Sequence, residues 1–119
     1  LIQKLVPSMT RKGAGAVMWL TSGLGRFGLP HYGAYCASKH AVEGLMKVLA
    51  EEVGDAGVVS AAVAPGMVQT DMLRTALGTE DVGAHQTPEQ TAQAFVALSA
   101  ELSAEHNGQS LDIAGWLQA

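Results

Sequence analysis

Two short apolar runs, separated by a segment of helical character, constrain the fold of this chain more than any other feature. The runs cover residues 16–20 (AVMWL) and 58–64 (VVSAAVA). A continuous apolar run of this length is typical of a parallel strand whose two faces are both covered by helices. Between the runs, residues 34–53 carry apolar or small side chains at helical spacing, which predicts a long helix with Leu45 and Val48 on its core face. The order strand, helix, strand predicts an α/β fold with a parallel sheet.

The flanking segments extend this pattern. Residues 1–12 predict the end of a helix, interrupted by Pro7, and residues 71–83 predict a short helix or a mobile lid. Thr87 followed by Pro88 is a helix start, and that helix is expected to run to about residue 104. The alternating segment 110–114 predicts a third strand.

Composition excludes several classes of function. The formal net charge is -4 with acidic residues spread along the chain, so neither nucleic acid nor an anionic membrane surface is an expected partner. The apolar runs are too short to span a bilayer, and a cytoplasmic enzyme fits the sequence. The four histidines do not fall at metal-binding spacings, so we expect no metal, and the single cysteine rules out an internal disulfide.

Three residues around the first predicted strand carry candidate chemistry. Tyr35 and Lys39 are four residues apart, a spacing that places two side chains on one face of a helix. An ammonium beside a phenol favours the phenolate, and such a tyrosine can exchange a proton with an alcohol or ketone. Ser22 follows the first strand and offers a hydroxyl to a carbonyl oxygen. Each residue also has an ordinary explanation, as a half-buried aromatic, a solvated charge and a strand-end cap.

Residues 23–28 (GLGRFG) match the GxGxxG dinucleotide fingerprint, with Glu43 twenty residues beyond Gly23. We reject this match because a loop with Pro30 follows, where the fingerprint requires a helix. Glu43 is expected in the middle of a helix, on a charged face where it pairs with Lys47. The glycines are better explained as allowing a flexible loop between Ser22 and Tyr35.

Taken together, these motifs resemble the short-chain dehydrogenase/reductase family. The resemblance rests on Ser22, the thirteen-residue step to Tyr35, the segment 35–39 (YCASK) and the segment 64–70 (APGMVQT) after the second strand. It implies a partial doubly wound, Rossmann-like parallel sheet made of the last three strands with flanking helices. Residues 1–119 would then be the carboxyl-terminal half of a single Rossmann-like domain, without the half that carries the cofactor fingerprint.

The resemblance also implies an activity. Enzymes of this family transfer a hydride between NAD or NADP and a ketone or secondary alcohol, and Tyr35 would be the general acid/base. Ser22 would steady the carbonyl, and Lys39 would act on Tyr35 and bind the nicotinamide ribose. Residues that border the cofactor would be Tyr35, Lys39, Pro65, Gly66, Val68 and Thr70. An ordinary strand-to-helix turn is the alternative for Val68 and Thr70.

Two expectations about partners complete this interpretation. The family implies a small carbonyl or alcohol substrate and a homodimer or homotetramer formed through the first two helices, and the unpaired edge of the first strand also favours association. The alternative function is that of a noncatalytic fragment that associates only with itself or with a full-length partner. Because no pyrophosphate site is present, we expect the isolated chain to bind cofactor weakly and to turn over little.

Overall fold

A computed structural model describes residues 1–78 and 82–117, which form α-helices, strands and short 3₁₀ turns. Two compact units contain them: Leu1–Ala64 with Leu102–Leu111, and Pro65–Glu101 with the residues from Asp112 onward. The described elements, in chain order, are α1 (Ile2–Lys12), β1 (Gly15–Leu20), α2 (Gly33–Val53), β2 (Val58–Ala64), α3 (Asp71–Leu77), α4 (Pro88–Glu101) and β3 (Ser110–Asp112).

The three strands form one sheet in the order β1-β2-β3. β1 and β2 are parallel, with a register that runs from Gly15 opposite Val58 to Leu20 opposite Val63. One further hydrogen bond, from the Thr21 amide to the Val63 carbonyl at 3.0 Å, extends this ladder. The two strands therefore end at the same edge of the sheet, and the predicted α/β fold is confirmed.

β2 is the central strand, and every one of its residues is buried. Within the described residues its neighbour β1 pairs along one edge, with β2, and the side chains of Met18 and Leu20 are exposed. The main apolar cluster of the first unit consists of Val6, Leu49, Val53 and Val58, with Ile2, Met9, Val17 and Trp19 packed against it. Burial of these side chains holds α1 and α2 against the sheet.

The buried line of α2 differs from the predicted one. It consists of Cys36, Glu43, Met46, Leu49, Ala50 and Val53. Leu45 and Val48, which we expected on the core face, are 56% and 55% exposed. That part of the prediction is wrong because the helix buries a line that includes a charged residue, which a search for apolar periodicity leaves out.

The second unit is built around α4. Its side chains Ala94 and Leu98 are buried, and it contacts a 3₁₀ turn at Ile113–Trp116. The predicted start of this helix is confirmed: the Thr87 hydroxyl accepts from the Gln90 amide at 3.2 Å, and the Gln90 side chain accepts from the Thr87 amide at 2.9 Å. The third strand is shorter than predicted, since Ile113 already belongs to the turn. Of the predicted lid, residues 79–81 lie outside the described residues.

A 3₁₀ turn at Gly23–Gly25 brings the segment after β1 against α2. A methyl group at Gly25 would lie 2.8 Å from the Lys39 carbonyl oxygen and 2.9 Å from the Thr21 hydroxyl. These distances are too short for a carbon atom, so only glycine fits there. Gly28 has no atom within 4 Å of the same position, and a loop follows it. Close packing thus explains Gly25 without a dinucleotide.

We predict that Gly25→Ala lowers the free energy of unfolding by about 1–3 kcal/mol, because the added methyl forces the turn away from α2. Urea unfolding, followed by tryptophan fluorescence, to which Trp19 in β1 contributes, measures this change. Gly28→Ala is the matched control, and its stability should equal that of the wild type. Equal destabilisation by the two substitutions would contradict the close-packing explanation.

Candidate active site

Ser22 lies directly after β1, where the ladder with β2 ends. Its backbone is extended, and its hydroxyl oxygen accepts a hydrogen bond from the Leu24 amide at 3.2 Å, which caps the turn at Gly23–Gly25. The predicted strand-end cap is therefore present. An accepting hydroxyl keeps its own proton, so Ser22 can still donate to an oxygen atom placed beside it.

Tyr35 and Lys39 lie on the first two turns of α2. The Lys39 ammonium nitrogen is 5.8 Å from the centre of the Tyr35 ring, which is within the range of a cation–π interaction. The same ammonium donates a hydrogen bond to the Leu20 carbonyl at 3.1 Å. Tyr35 is 37% exposed.

Lys39 thus links the tyrosine to the strand that leads to Ser22. Leu20 is the last residue of β1 and precedes Ser22 by two positions. The fold brings these predicted residues into one unit, with the ammonium over the face of the Tyr35 ring and a serine hydroxyl just after the end of β1. Such a set can stabilise an oxyanion and move a proton, which is general acid/base chemistry.

Glu43 is the main feature of this region that sequence analysis placed wrongly. It is only 6% exposed, instead of lying on a solvated face with Lys47. Its Oε1 atom accepts hydrogen bonds from the hydroxyls of Thr21 at 2.8 Å and Ser110 at 2.7 Å, and the Arg26 Nε lies 3.7 Å away. These partners offset the cost of burying a carboxylate.

Four of the six predicted cofactor residues, Pro65, Gly66, Val68 and Thr70, belong to the second unit. Pro65 follows the last residue of β2, and Gly66 has a φ of 73°, in the left-handed region that favours glycine. Val68 forms a parallel bridge with Gln86. The Thr70 hydroxyl accepts from the Leu73 amide at 3.2 Å and so caps α3. The ordinary strand-to-helix turn is present here, and the Thr70 hydroxyl keeps its proton for a further acceptor.

Two glutamines that the sequence did not single out hold this loop in shape. The Gln86 side chain donates to the Pro65 carbonyl, and the Gln69 side chain donates to the Gly83 carbonyl at 3.1 Å. The backbone amide of Gln69 also donates to the backbone carbonyl of Gln86 at 2.9 Å. No motif predicts these bonds, because they connect positions 14 to 21 residues apart.

The cysteine and the histidine near Tyr35 give weaker evidence of function. Cys36 is buried, and His31 is exposed on the loop before α2. Within residues 1–78 and 82–117, no three histidine, cysteine or carboxylate side chains are grouped so as to hold a metal ion. Over the same residues, no helix combines the length and the hydrophobicity that crossing a bilayer requires.

Comparison with known proteins gives consistent matches. The family model described as short chain dehydrogenase matches residues 1–81. The uncharacterized oxidoreductase YciK of Escherichia coli is 35% identical over 112 residues, which are 94% of this chain and 44% of that protein. An NADPH-dependent pterin aldehyde reductase of Arabidopsis thaliana is 32% identical over 113 residues, which are 95% of this chain and 46% of that protein.

Solved structures agree with these relatives. A short chain dehydrogenase from Shigella flexneri, crystallised with NADP, superimposes with a TM-score of 0.80 at 32% identity, over 96% of this chain and 47% of that one. The chain spans about half the length of the relatives it matches. The doubly wound, Rossmann-like fold implied by the resemblance is confirmed by these neighbours. On the sequence match, the strand order and the structural likeness together, this chain belongs to the short-chain dehydrogenase/reductase family.

Proposed function

We propose that this chain carries the acid/base site of an oxidoreductase that transfers a hydride between NAD or NADP and a ketone or secondary alcohol. The contact of Lys39 with both Tyr35 and the end of β1 is the observation that supports this most strongly. Two comparisons point the same way: a relative named for reducing an aldehyde with NADPH, and a structural neighbour crystallised with NADP. An aldehyde and a ketone share the carbonyl group on which this chemistry acts.

In this proposal Tyr35 is the residue that moves the proton. Its phenol donates a proton to the carbonyl oxygen during reduction and removes one from the alcohol during oxidation. The Lys39 ammonium, 5.8 Å from the ring centre, stabilises the phenolate that remains after donation.

Ser22 orients the substrate. Its oxygen already accepts from the Leu24 amide, so its proton points away from that bond and is available to a carbonyl oxygen. A hydrogen bond at that oxygen strengthens as negative charge develops on it. The hydrogen bond from Ser22 would therefore stabilise the transition state more than it stabilises the bound substrate.

Each unit, considered by itself, contains groups that suit a nicotinamide dinucleotide. Among the described residues, Lys39 donates to the Leu20 carbonyl alone, which leaves two ammonium protons for the ribose hydroxyls. Thr70 keeps a hydroxyl proton, and the backbone at Pro65, Gly66 and Val68 would border the ring. The cofactor, when bound, supplies or accepts the hydride. Neither Lys39 nor Thr70 distinguishes NAD from NADP.

Exposed apolar side chains on the first two helices support association with a second copy. Leu45 and Val48 lie exposed on α2, and Leu5 lies exposed on α1. We propose a homodimer or homotetramer formed through these helices. The edge of β1 that pairs with no described strand supports the second candidate function, in which the 119-residue chain acts only by association, since such an edge favours strand pairing.

We predict that Tyr35→Phe lowers kcat by about 10²-fold or more in the complete natural protein that carries residues 1–119, because the phenolic proton is lost. The assay follows NADPH absorbance with a panel of aldehydes and ketones. Tyr32→Phe is the matched control: it removes the same hydroxyl three residues earlier and should leave kcat unchanged. Full activity of the Tyr35 variant would remove this residue from the mechanism.

A second substitution separates the capping role of Thr70 from cofactor binding. Asp caps a helix as well as Thr does, so Thr70→Asp should preserve the helix content seen by circular dichroism. Its negative charge would repel an anionic dinucleotide and should raise the cofactor Kd by about tenfold or more. Thr87→Asp, at the cap of α4, is the matched control and should leave the Kd unchanged. Equal effects at both caps would argue against cofactor contact at Thr70.

A further inference from the structure

The end of β1 is attached to α2 by a buried carboxylate that the proposed chemistry does not use. We propose that Glu43 and Thr21 are positioning residues, which hold the segment carrying Ser22 at its working distance from Tyr35. This inference rests on the proposed function. It adds a polar clamp, formed by Glu43, Thr21, Ser110 and Arg26, to the three residues that would touch the substrate.

The two hydroxyl contacts of the Glu43 carboxylate are short, and the one to Thr21 is buried. Oε1 of Glu43 lies 2.8 Å from the Thr21 hydroxyl and 2.7 Å from the Ser110 hydroxyl, both of which donate to it. Thr21 and Glu43 are both buried. Ser110 in turn accepts from the Arg26 Nε at 2.9 Å, so the charge of Arg26 reaches the carboxylate both directly and through a hydroxyl. Hydrogen bonds to a charged acceptor are stronger than neutral ones, and they are directional.

The placement of these partners along the chain points to the function of the clamp. Thr21 immediately precedes Ser22, and Arg26 follows it by four residues, so the carboxylate holds the serine segment on both sides. Glu43 lies one helical turn beyond Lys39 and two turns beyond Tyr35, on the same helix. A shift of this segment along α2 would therefore alter the distance between Ser22 and Tyr35.

An apolar residue at position 43 would fill the same space without needing partners. A buried carboxylate contributes little net stability over such a residue, but it requires its hydrogen-bond donors at defined places. The closeness of Gly25 to both the Thr21 hydroxyl and the Lys39 carbonyl shows that the segment has no room to shift toward the helix. The clamp opposes a shift in the other direction.

The test compares three variants. Thr21→Val removes the hydroxyl while keeping the shape of the side chain, and Thr21→Ser restores the hydroxyl. Ser60→Ala is the matched control, because the buried Ser60 hydroxyl also bridges the sheet and α2, accepting from Trp19 at 3.0 Å and donating to the Met46 carbonyl at 2.9 Å. The Ser60 bridge does not include the Ser22 segment.

Two measurements are made on each variant. The first is kcat and the cofactor KM of the complete natural protein, at a temperature where every variant is folded. The second is hydrogen exchange of the Leu24, Gly25 and Arg26 amides in the 119-residue chain, since these amides close the turn after Ser22. The second measurement needs no activity, so it tests the clamp even if the proposed function fails.

We expect Thr21→Val to lower kcat by about tenfold or more and to leave the cofactor KM unchanged. A small displacement of a reacting group is enough to slow the reaction by this factor. The three amides of this variant should exchange faster, whereas Thr21→Ser and Ser60→Ala should match the wild type in both measurements. The proposal would be overturned if Thr21→Val had the same kcat and the same amide exchange rates as the wild type. It would also be overturned if Ser60→Ala lost as much kcat as Thr21→Val. If the wild-type protein has no turnover, faster exchange in Thr21→Val alone supports the clamp, and unchanged exchange overturns it.

Discussion

The hydrogen-bonded ladder between β1 and β2 is the constraint on which the candidate site depends. Its register places Leu20 opposite Val63 and continues to the Thr21 amide, so Ser22 begins where pairing ends. A slip by one residue would turn every side chain of β1 to the opposite face of the sheet. It would also move the Leu20 carbonyl away from Lys39. The position of the ammonium beside Tyr35 is therefore a consequence of strand pairing as much as of helix spacing.

Two polar bridges align α2 with this ladder. In the middle of the sheet, Ser60 joins Trp19 to the Met46 carbonyl by neutral hydrogen bonds. At its carboxyl end, Glu43 joins Thr21 to Ser110 by bonds to a charged oxygen. Apolar contacts alone would allow the helix to slide, since the hydrophobic effect is not directional. The bridge to the charged oxygen is the stronger of the two, and it lies beside the segment that carries Ser22.

Local patterns predicted the fold well. The two buried strands and α2 lie within one residue of their expected bounds, because each depends on a periodicity contained in its own segment. Glu43 was misplaced for the opposite reason. Its burial depends on Thr21 and Ser110, which are 22 and 67 residues away, and no window of sequence contains all three. Tyr35 and Lys39 are four residues apart on one helix, so their contact was predictable, whereas the clamp around Ser22 was not.

The clamp also bears on electrostatics at Tyr35. A buried carboxylate one turn from Lys39 would weaken the effect of the ammonium on the phenol if its charge were left uncompensated. Arg26, with its Nε 3.7 Å from the carboxylate, supplies the compensating charge. Across the part of the chain that the structure describes, no carboxylate forms an ion pair with Lys39. Glu43 is thus paired with Arg26 and not with Lys39.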